Sequence, residues 1–395
     1  MQAESDVLRA ERVDATRRRW ETEFSGLVPE TPSPMLQPWE VWDRDLFDLE
    51  MVRVFARSWV WIGDTEDLDE PGDYITGRIG YQPVIVVRGG DGELRGFLNN
   101  CRHRASGLAF EPSGNCGNHL TCPYHNWSYA LDGRLVTVPD HERMYGPDFD
   151  FSAYGLVPVR VHVAWGKLVF ACLSRRTPPF SAWVAPLAER YERYGIGSFR
   201  RYHRELDQTY PINWKVFCEN SNDDYHVRFV HRGLNPERKS LDTVVRFAGR
   251  TASGYKPRNE TNDISGGRSD LPDADLRGSY ADFIYPNLTP LTYPTQLILV
   301  RADPIAPDRT RLFSRIYGLA GTVEAQEREL QRLETTNAED TSMVTVLMDN
   351  LRSPFYRVGP ASAWEGRAAH IMKLIREDTA TPLAGDEFTD PDTRS

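Results

Sequence analysis

The rhythm of hydrophobic and polar positions changes along this chain, and each rhythm predicts a different kind of element. Residues 1–38 are charged and then broken by Pro29, Pro32, Pro34 and Pro38, which predicts one helix and an extended arm. From Trp39 to Trp165 the apolar residues come in short β-type runs, Tyr74–Ile79, Val84–Arg88, Leu94–Asn99 and Val157–Val163. Gly89-Gly90-Asp91-Gly92 supplies the residues of a tight hairpin between two of them. Together they predict a small antiparallel β domain over 39–165. Beyond Lys167 helical spacing at Val184–Tyr194 and Val323–Leu351 mixes with strand-like runs at Phe283–Tyr285, Gln296–Ala302 and Arg311–Tyr317. Strands and helices are grouped rather than alternating, so the fold class is α+β, not a parallel βαβ sheet. The second domain is expected over 166–376, with an antiparallel sheet and helices. The tail 377–395, acidic and rich in Thr, Asp and Pro, is expected to be disordered.

Composition narrows the function classes. A chain of 395 residues exceeds one ordinary hydrophobic core, in line with two domains. The net charge of −10 argues against nucleic acid as a partner. No run approaches the roughly 18 apolar residues that span a bilayer. The first twenty residues, MQAESDVLRAERVDATRRRW, lack the apolar region of a signal peptide, so a cytoplasmic location is expected. Five widely spread cysteines do not form a disulfide framework, and in a reducing compartment a cysteine cluster is more often a metal site.

That cluster is CRHRASGLAFEPSGNCGNHLTCPYHNW. Cys101-x-His103 is followed, after eighteen residues, by Cys122-x-x-His125. A Cys₂His₂ set suits zinc or a [2Fe–2S] cluster. Here each loop offers one Cys and one His, so two thiolates can hold one iron and two imidazoles the other. A zinc finger more often pairs cysteine with cysteine and histidine with histidine. Cys116 and His119 break the paired spacing and read as loop residues. Cys101-Arg102-His103-Arg104 and Cys122-Pro123-Tyr124-His125-Asn126-Trp127 resemble the two Rieske loops of the ring-hydroxylating oxygenases. Asn126 stands where glycine is usual, at a turn position that Asn tolerates.

A second constellation follows in NWKVFCENSNDDYHVRFVH. His226 and His231, with a distant carboxylate, can form the two-histidine, one-carboxylate face that leaves positions on Fe(II) open for O₂. On an ideal helix a spacing of five turns side chains about 140° apart, so this segment has to leave the helix if both meet one ion. The stretch Asn213–His231 resembles the iron segment of the same family. The resemblance implies His226 and His231 as ligands, Asp223 as the acidic link between the two metal centres, and Asn220 near the iron. It implies a third ligand on a downstream helix, matched by AEDTSMVTVLMDN, where Asp340 is the choice and Glu339 the alternative. Asp349 lies further along.

The resemblance implies electrons from NAD(P)H, delivered by a separate ferredoxin or reductase to the cluster and then to Fe(II), where O₂ oxidises a small substrate. No G-x-G-x-x-G follows a strand, so the chain itself is not expected to bind a dinucleotide. An aromatic compound is the expected substrate, with aspartate rather than glutamate at position 223 in its favour. The alternative is a quaternary ammonium compound or a demethylation. The run His226–Leu234 also looks like the choline-oxidising branch, and Phe229, Phe283, Tyr285 and Tyr293 could cage a cation. A bare electron carrier would need only the β domain. Domains of about 120 and 230 residues, with radii of gyration near 14 and 17 Å, would put their centres roughly 40 Å apart, too far for efficient relay. Electrons are therefore expected to cross between subunits of a homotrimer or an α₃β₃ assembly, through Asp223 between His125 of one chain and His226 of the next.

Overall fold

A computed structural model describes residues 2–23, 33–231, 243–257, 266–319, 323–353, 355–384 and 386–388. The chain divides into a β unit, Phe55–Phe180 with Leu383–Ser395, and an α+β unit, Met1–Val54 with Ser181–Pro382.

The strands of the β unit are β1 (Val60–Asp64), β2 (Asp73–Ile79), β3 (Gln82–Arg88), β4 (Leu94–Leu98), β5 (Ser113–Asn115), β6 (His119–Thr121), β7 (Ser128–Ala130), β8 (Leu135–Thr137), β9 (Pro158–Ala164) and β10 (Leu168–Cys172). Seven form one antiparallel sheet in the order β1-β10-β9-β4-β3-β2-β5, and β6-β7-β8 form a second. The glycine-rich hairpin joins β3 to β4, with Gly92 at φ 83°, a conformation glycine adopts without strain.

The division falls later in the chain than position 165 because β10 pairs with both β9 and β1 (Leu168 opposite Ala164, Ala171 opposite Val60). Strands β1 and β10 are buried at every position, so they lack the alternation by which half-buried strands are read. The expected disordered tail also needs correction. Residues 377–380 complete a helix, Gly366–Ala380, and Glu387 is buried. Arg57 grips Glu387 with Nε at 2.7 Å and Nη2 at 2.9 Å, and the Ser174 hydroxyl donates to it at 3.0 Å. A bidentate charge-assisted pair of this kind outweighs an unfavourable local composition. Residues 385 and 389–395 lie outside the described part, as do Pro29, Pro32 and Arg232–Leu234.

In the α+β unit the strands are β11 (Arg200–Tyr210), β12 (Val244–Ala248), β13 (Thr251–Pro257), β14 (Gly278–Ile284), β15 (Leu288–Tyr293), β16 (Gln296–Ala306) and β17 (Arg309–Gly318). They form one antiparallel sheet in the order β11-β17-β16-β15-β14-β13-β12. The long helix Val323–Asn350 packs on β11 and β17, and both it and Gly366–Ala380 pack on the helix Trp214–Ser221. That helix is pinned at its start. The Asn213 side chain accepts from the Lys215 amide at 2.9 Å and donates to the carbonyls of Val41 and Pro307. Its first turn carries a buried ion pair, Lys215 Nζ to Glu50 at 2.5 Å, with Trp214 donating to the same carboxylate at 2.9 Å. The segment that follows therefore leaves a rigid base.

Candidate metal centres and the adjoining cavity

Cys101 and Cys122 open two loops built alike. In each, the amide four residues on donates back to the cysteine carbonyl at 2.9 Å (Ala105 to Cys101, Asn126 to Cys122). In each, the cysteine amide donates to the carbonyl five residues on at 2.8 Å (Ser106, Trp127). Ala105 and Asn126 both adopt left-handed φ, 58° and 55°. Asn126 thus meets a backbone demand that falls equally on the first loop, where alanine bears it with more strain.

The loops bring Cys101 and Cys122 into the buried core, while His103 is half-buried and His125 exposed, with the two rings 4.6 Å apart. His103 stacks on Trp127 at 4.9 Å. Its Nδ1 is buried without a hydrogen-bond partner, whereas Nε2 lies 3.4 Å from the Tyr145 hydroxyl. Burial, with His125 and Arg104 nearby, lowers the His103 pKa and favours the neutral ring that a metal ligand requires. The Tyr129 hydroxyl sits 3.2 Å from Cys101 Sγ, a partner the spacing of Cys and His could not reveal. Cys116 points to the Gly72 carbonyl, and His119 lies exposed on β6.

Among the described residues, one set brings three ligand atoms within 4.8 Å of one another: His226, His231 and Asp340. The two Cys/His pairs are not such a one-ion set. Each loop brings one thiolate and one imidazole, the division that a cluster of two irons takes.

His226 caps the short helix Val227–Val230 and His231 follows its last residue, so the chain leaves the helix between the two ligands as the spacing requires. Each imidazole is held at Nδ1 by a carboxylate: Asp223 lies 3.1 Å from His226, and Glu339 2.8 Å from His231. Each Nε2 then faces Asp340 Oδ1, at 3.3 and 3.0 Å. That oxygen is buried and makes no well-aligned hydrogen bond, an orphan of the kind a cation satisfies. Burial opposes charge on Asp340, yet the two imidazoles hold its carboxyl at about 2. Asp223 is itself fixed, accepting from the Tyr225 amide at 2.6 Å. Asn220 lines the adjoining cavity with its Nδ2 buried and unpartnered.

The cavity measures about 120 Å³ and is bounded in part by Phe217, Leu291, Tyr293, Lys256 and Arg332. Of the four aromatic residues suggested as a cation cage, Tyr293 alone lines it. Phe283 and Tyr285 are buried elsewhere, the latter bonded to Asp378, and Phe229 is exposed. Strand positions read without their register do not reveal which face a ring takes.

Residues 58–158 match the Rieske [2Fe-2S] domain and 192–380 the ring hydroxylating alpha subunit catalytic domain. The choline monooxygenase of Arabidopsis thaliana is 30% identical over 382 residues, 90% of this chain and 86% of that protein. The chain belongs to the Rieske non-haem iron oxygenases. Its cofactors are accordingly a Rieske [2Fe–2S] cluster and a mononuclear iron, and the two ligand sets fit them. A glycine betaine monooxygenase oxygenase subunit of Pseudomonas aeruginosa is 34% identical over 203 residues, 51% of this chain. That match covers 46% of the relative, so the chain spans about half its length. Two solved structures share the fold of this Rieske oxygenase. A quaternary ammonium Rieske monooxygenase with L-carnitine aligns at TM-score 0.73, with 21% identity over 87% of this chain and 95% of that one. Naphthalene 1,2-dioxygenase with indole aligns at 0.74, with 20% identity over 90% and 94%. No helix among the described residues is long and apolar enough to cross a membrane. The relatives shift the substrate expectation away from aromatic compounds and toward the quaternary ammonium alternative.

Proposed function

We propose that this chain is the oxygenase component of a Rieske monooxygenase that oxidises a methyl group on nitrogen in a small quaternary ammonium compound. The relatives carry the reading: glycine betaine and choline monooxygenases are among the proteins that this chain resembles. The cavity beside the iron ligands, about 120 Å³, is of the order that takes one small molecule, an apolar cavity of about 150 Å³ accepting benzene.

In this reading Cys101 and Cys122 hold one iron of the cluster and His103 and His125 the other, His103 through Nδ1. His226 and His231 hold the mononuclear iron through Nε2, together with Asp340. Asp223 and Glu339 keep the imidazoles in the required tautomer and orientation. When bound, the two centres supply stored electrons and O₂ activation. The chain holds the substrate methyl beside His226 and Asp340, and Phe217 and Leu291 exclude water there. One oxygen atom enters a C–H bond and the other leaves as water, with two electrons and two protons consumed. The hydroxymethyl product then releases formaldehyde and the demethylated amine. Electrons come from a separate ferredoxin or reductase and cross between subunits through Asp223 and a neighbour's His125.

The test is a single turnover. Enzyme loaded with iron and fully reduced is mixed with O₂ and glycine betaine, choline or naphthalene. Formaldehyde in proportion to enzyme from a methylated ammonium compound is the expected result. A dihydrodiol from naphthalene with no formaldehyde from either amine would refute the proposal.

A further inference from the structure

One wall of the iron cavity carries a positive charge that, among the described residues, is left uncompensated. Asp224, buried beside Asp223, faces two cations: Lys256 Nζ lies 2.9 Å from Oδ1, and Arg367 Nη2 donates to Oδ2 at 2.7 Å. Arg367 is 1% exposed, so its charge cannot be screened by water. Its Nη1 donates to the Ala281 carbonyl at 2.8 Å, and its Nε is buried without a partner. The guanidinium lies flat against Gly254, where a Cβ would come within 3.1 Å of its central carbon. Strand β13 is thus shaped to admit it. Two cations and one carboxylate leave one positive charge.

The other charged residues described around the cavity are paired among themselves. Arg332 is matched by Glu329, to which its Nε donates at 2.8 Å, and its Nη2 donates to the Tyr293 hydroxyl at 2.6 Å. Asp223 is committed to His226, and Asp340 to the two imidazoles. Around the iron position two neutral imidazoles and three carboxylates, Asp340, Asp223 and Glu339, would leave a divalent ion one negative charge, so the positive surplus is local to the Lys256 wall and the iron side favours an ammonium group. The surplus reaches the cavity at Lys256, which lines it and has three ammonium protons, with Asp224 the one carboxylate paired with them among the described residues. A plain cation would leave this wall unmatched. A zwitterion brings no net charge and has a carboxylate to set on the ammonium.

We propose that Lys256, held by Asp224 and backed by Arg367, is the docking point for a carboxylate of the substrate. The enzyme therefore selects a zwitterionic N-methylated amino acid over the corresponding amino alcohol. The zwitterion part rests on the quaternary ammonium reading above; the carboxylate dock stands on the wall itself.

The test is calorimetric titration of the iron-loaded, O₂-free protein with glycine betaine, choline and benzoate, checked by single-turnover formaldehyde yield. Glycine betaine should bind at least tenfold more tightly than choline. Lys256→Met should weaken glycine betaine at least tenfold and strengthen choline, and Lys256→Arg should restore the preference. Unchanged cluster absorption and iron content show that each variant is folded. Equal affinity for choline and glycine betaine, or a preference untouched in Lys256→Met, overturns the dock while leaving a quaternary ammonium substrate in place. Benzoate binding that depends on Lys256, with none of either amine, keeps the dock and overturns the quaternary ammonium reading. Binding of none of the three overturns both.

Discussion

Glu339 and Asp340 are adjacent carboxylates on one helix, and their different work can be separated by substitution. Asp340 Oδ1 meets both Nε2 atoms, whereas Glu339 reaches around His231 to Nδ1 at 2.8 Å. Glu339→Ala removes an orienting partner and leaves all three proposed ligands. Losing such a partner typically costs 10–100-fold in metal affinity, or about 1.4–2.7 kcal/mol. Glu339 is 34% exposed, so water can partly replace it and the low end, about tenfold, is expected. Glu339→Gln keeps a neutral acceptor, roughly half as strong as the charged one, and should fall between native and alanine. Asp340→Ala deletes the one carboxylate ligand and leaves two imidazoles facing a divalent ion, so retention of iron through desalting should be lost.

The assay is anaerobic Fe(II) titration of protein stripped of mononuclear iron, against a competing chelator. The cluster's absorption serves as an internal control, since its ligands lie in the other unit. If Asp340→Ala binds iron within tenfold of native while Glu339→Ala binds none, the two roles are exchanged. If Glu339→Ala stays within twofold, the carboxylate on Nδ1 does not orient His231, and the account of the site fails at that point.

Other outcomes follow from the same geometry. Tyr129→Phe removes a hydrogen bond to Cys101 Sγ worth about 1 kcal/mol, so the cluster's reduction potential should fall by roughly 40 mV in a redox titration; an unchanged potential would show the hydroxyl to be idle. Burial, with Glu40 and Glu365 nearby, raises the Glu219 carboxyl from 4.5 to about 7 against the pull of the Leu36 amide and Arg376. A raised folded-state pKa means stability that is complete below about 4.5 and lost as pH rises through 7. Discounted for partial exposure, the loss is about 2 kcal/mol, so Glu219→Gln should raise the melting midpoint by roughly 5 °C at pH 8 and not at pH 4; equal gains at both would refute it. Finally, His103→Ala and His226→Ala, each inactive alone, should recover part of the activity when co-assembled, because some neighbouring pairs then join an intact cluster to an intact iron site. A verified mixed oligomer without activity would exclude relay between subunits.

How far the sequence could be read depended on whether a feature was local. The Cys/His pairs and His226/His231 are short-range patterns, so the candidates stood out along the chain, and the family resemblance gave the two histidines their role. Asp340 is different. It lies more than a hundred residues from His226, and family resemblance alone distinguished it from its neighbours on a charged helix. Which side of His231 each of the two carboxylates takes is settled by how that helix rests on Trp214–Ser221, a matter of packing. The cavity wall was the least legible part. Lys256, Arg367 and Asp224 come from a strand, a helix far downstream and the iron loop, and none stands in a recognisable motif. Each alone is a charged residue, ordinarily expected at the surface. Only burial around a single carboxylate turns them into a local excess of charge. Substrate preference, unlike the metal centres, was therefore out of reach of any reading along the chain, since what sets it is the sum of charges brought together by β13, β14 and the last helix.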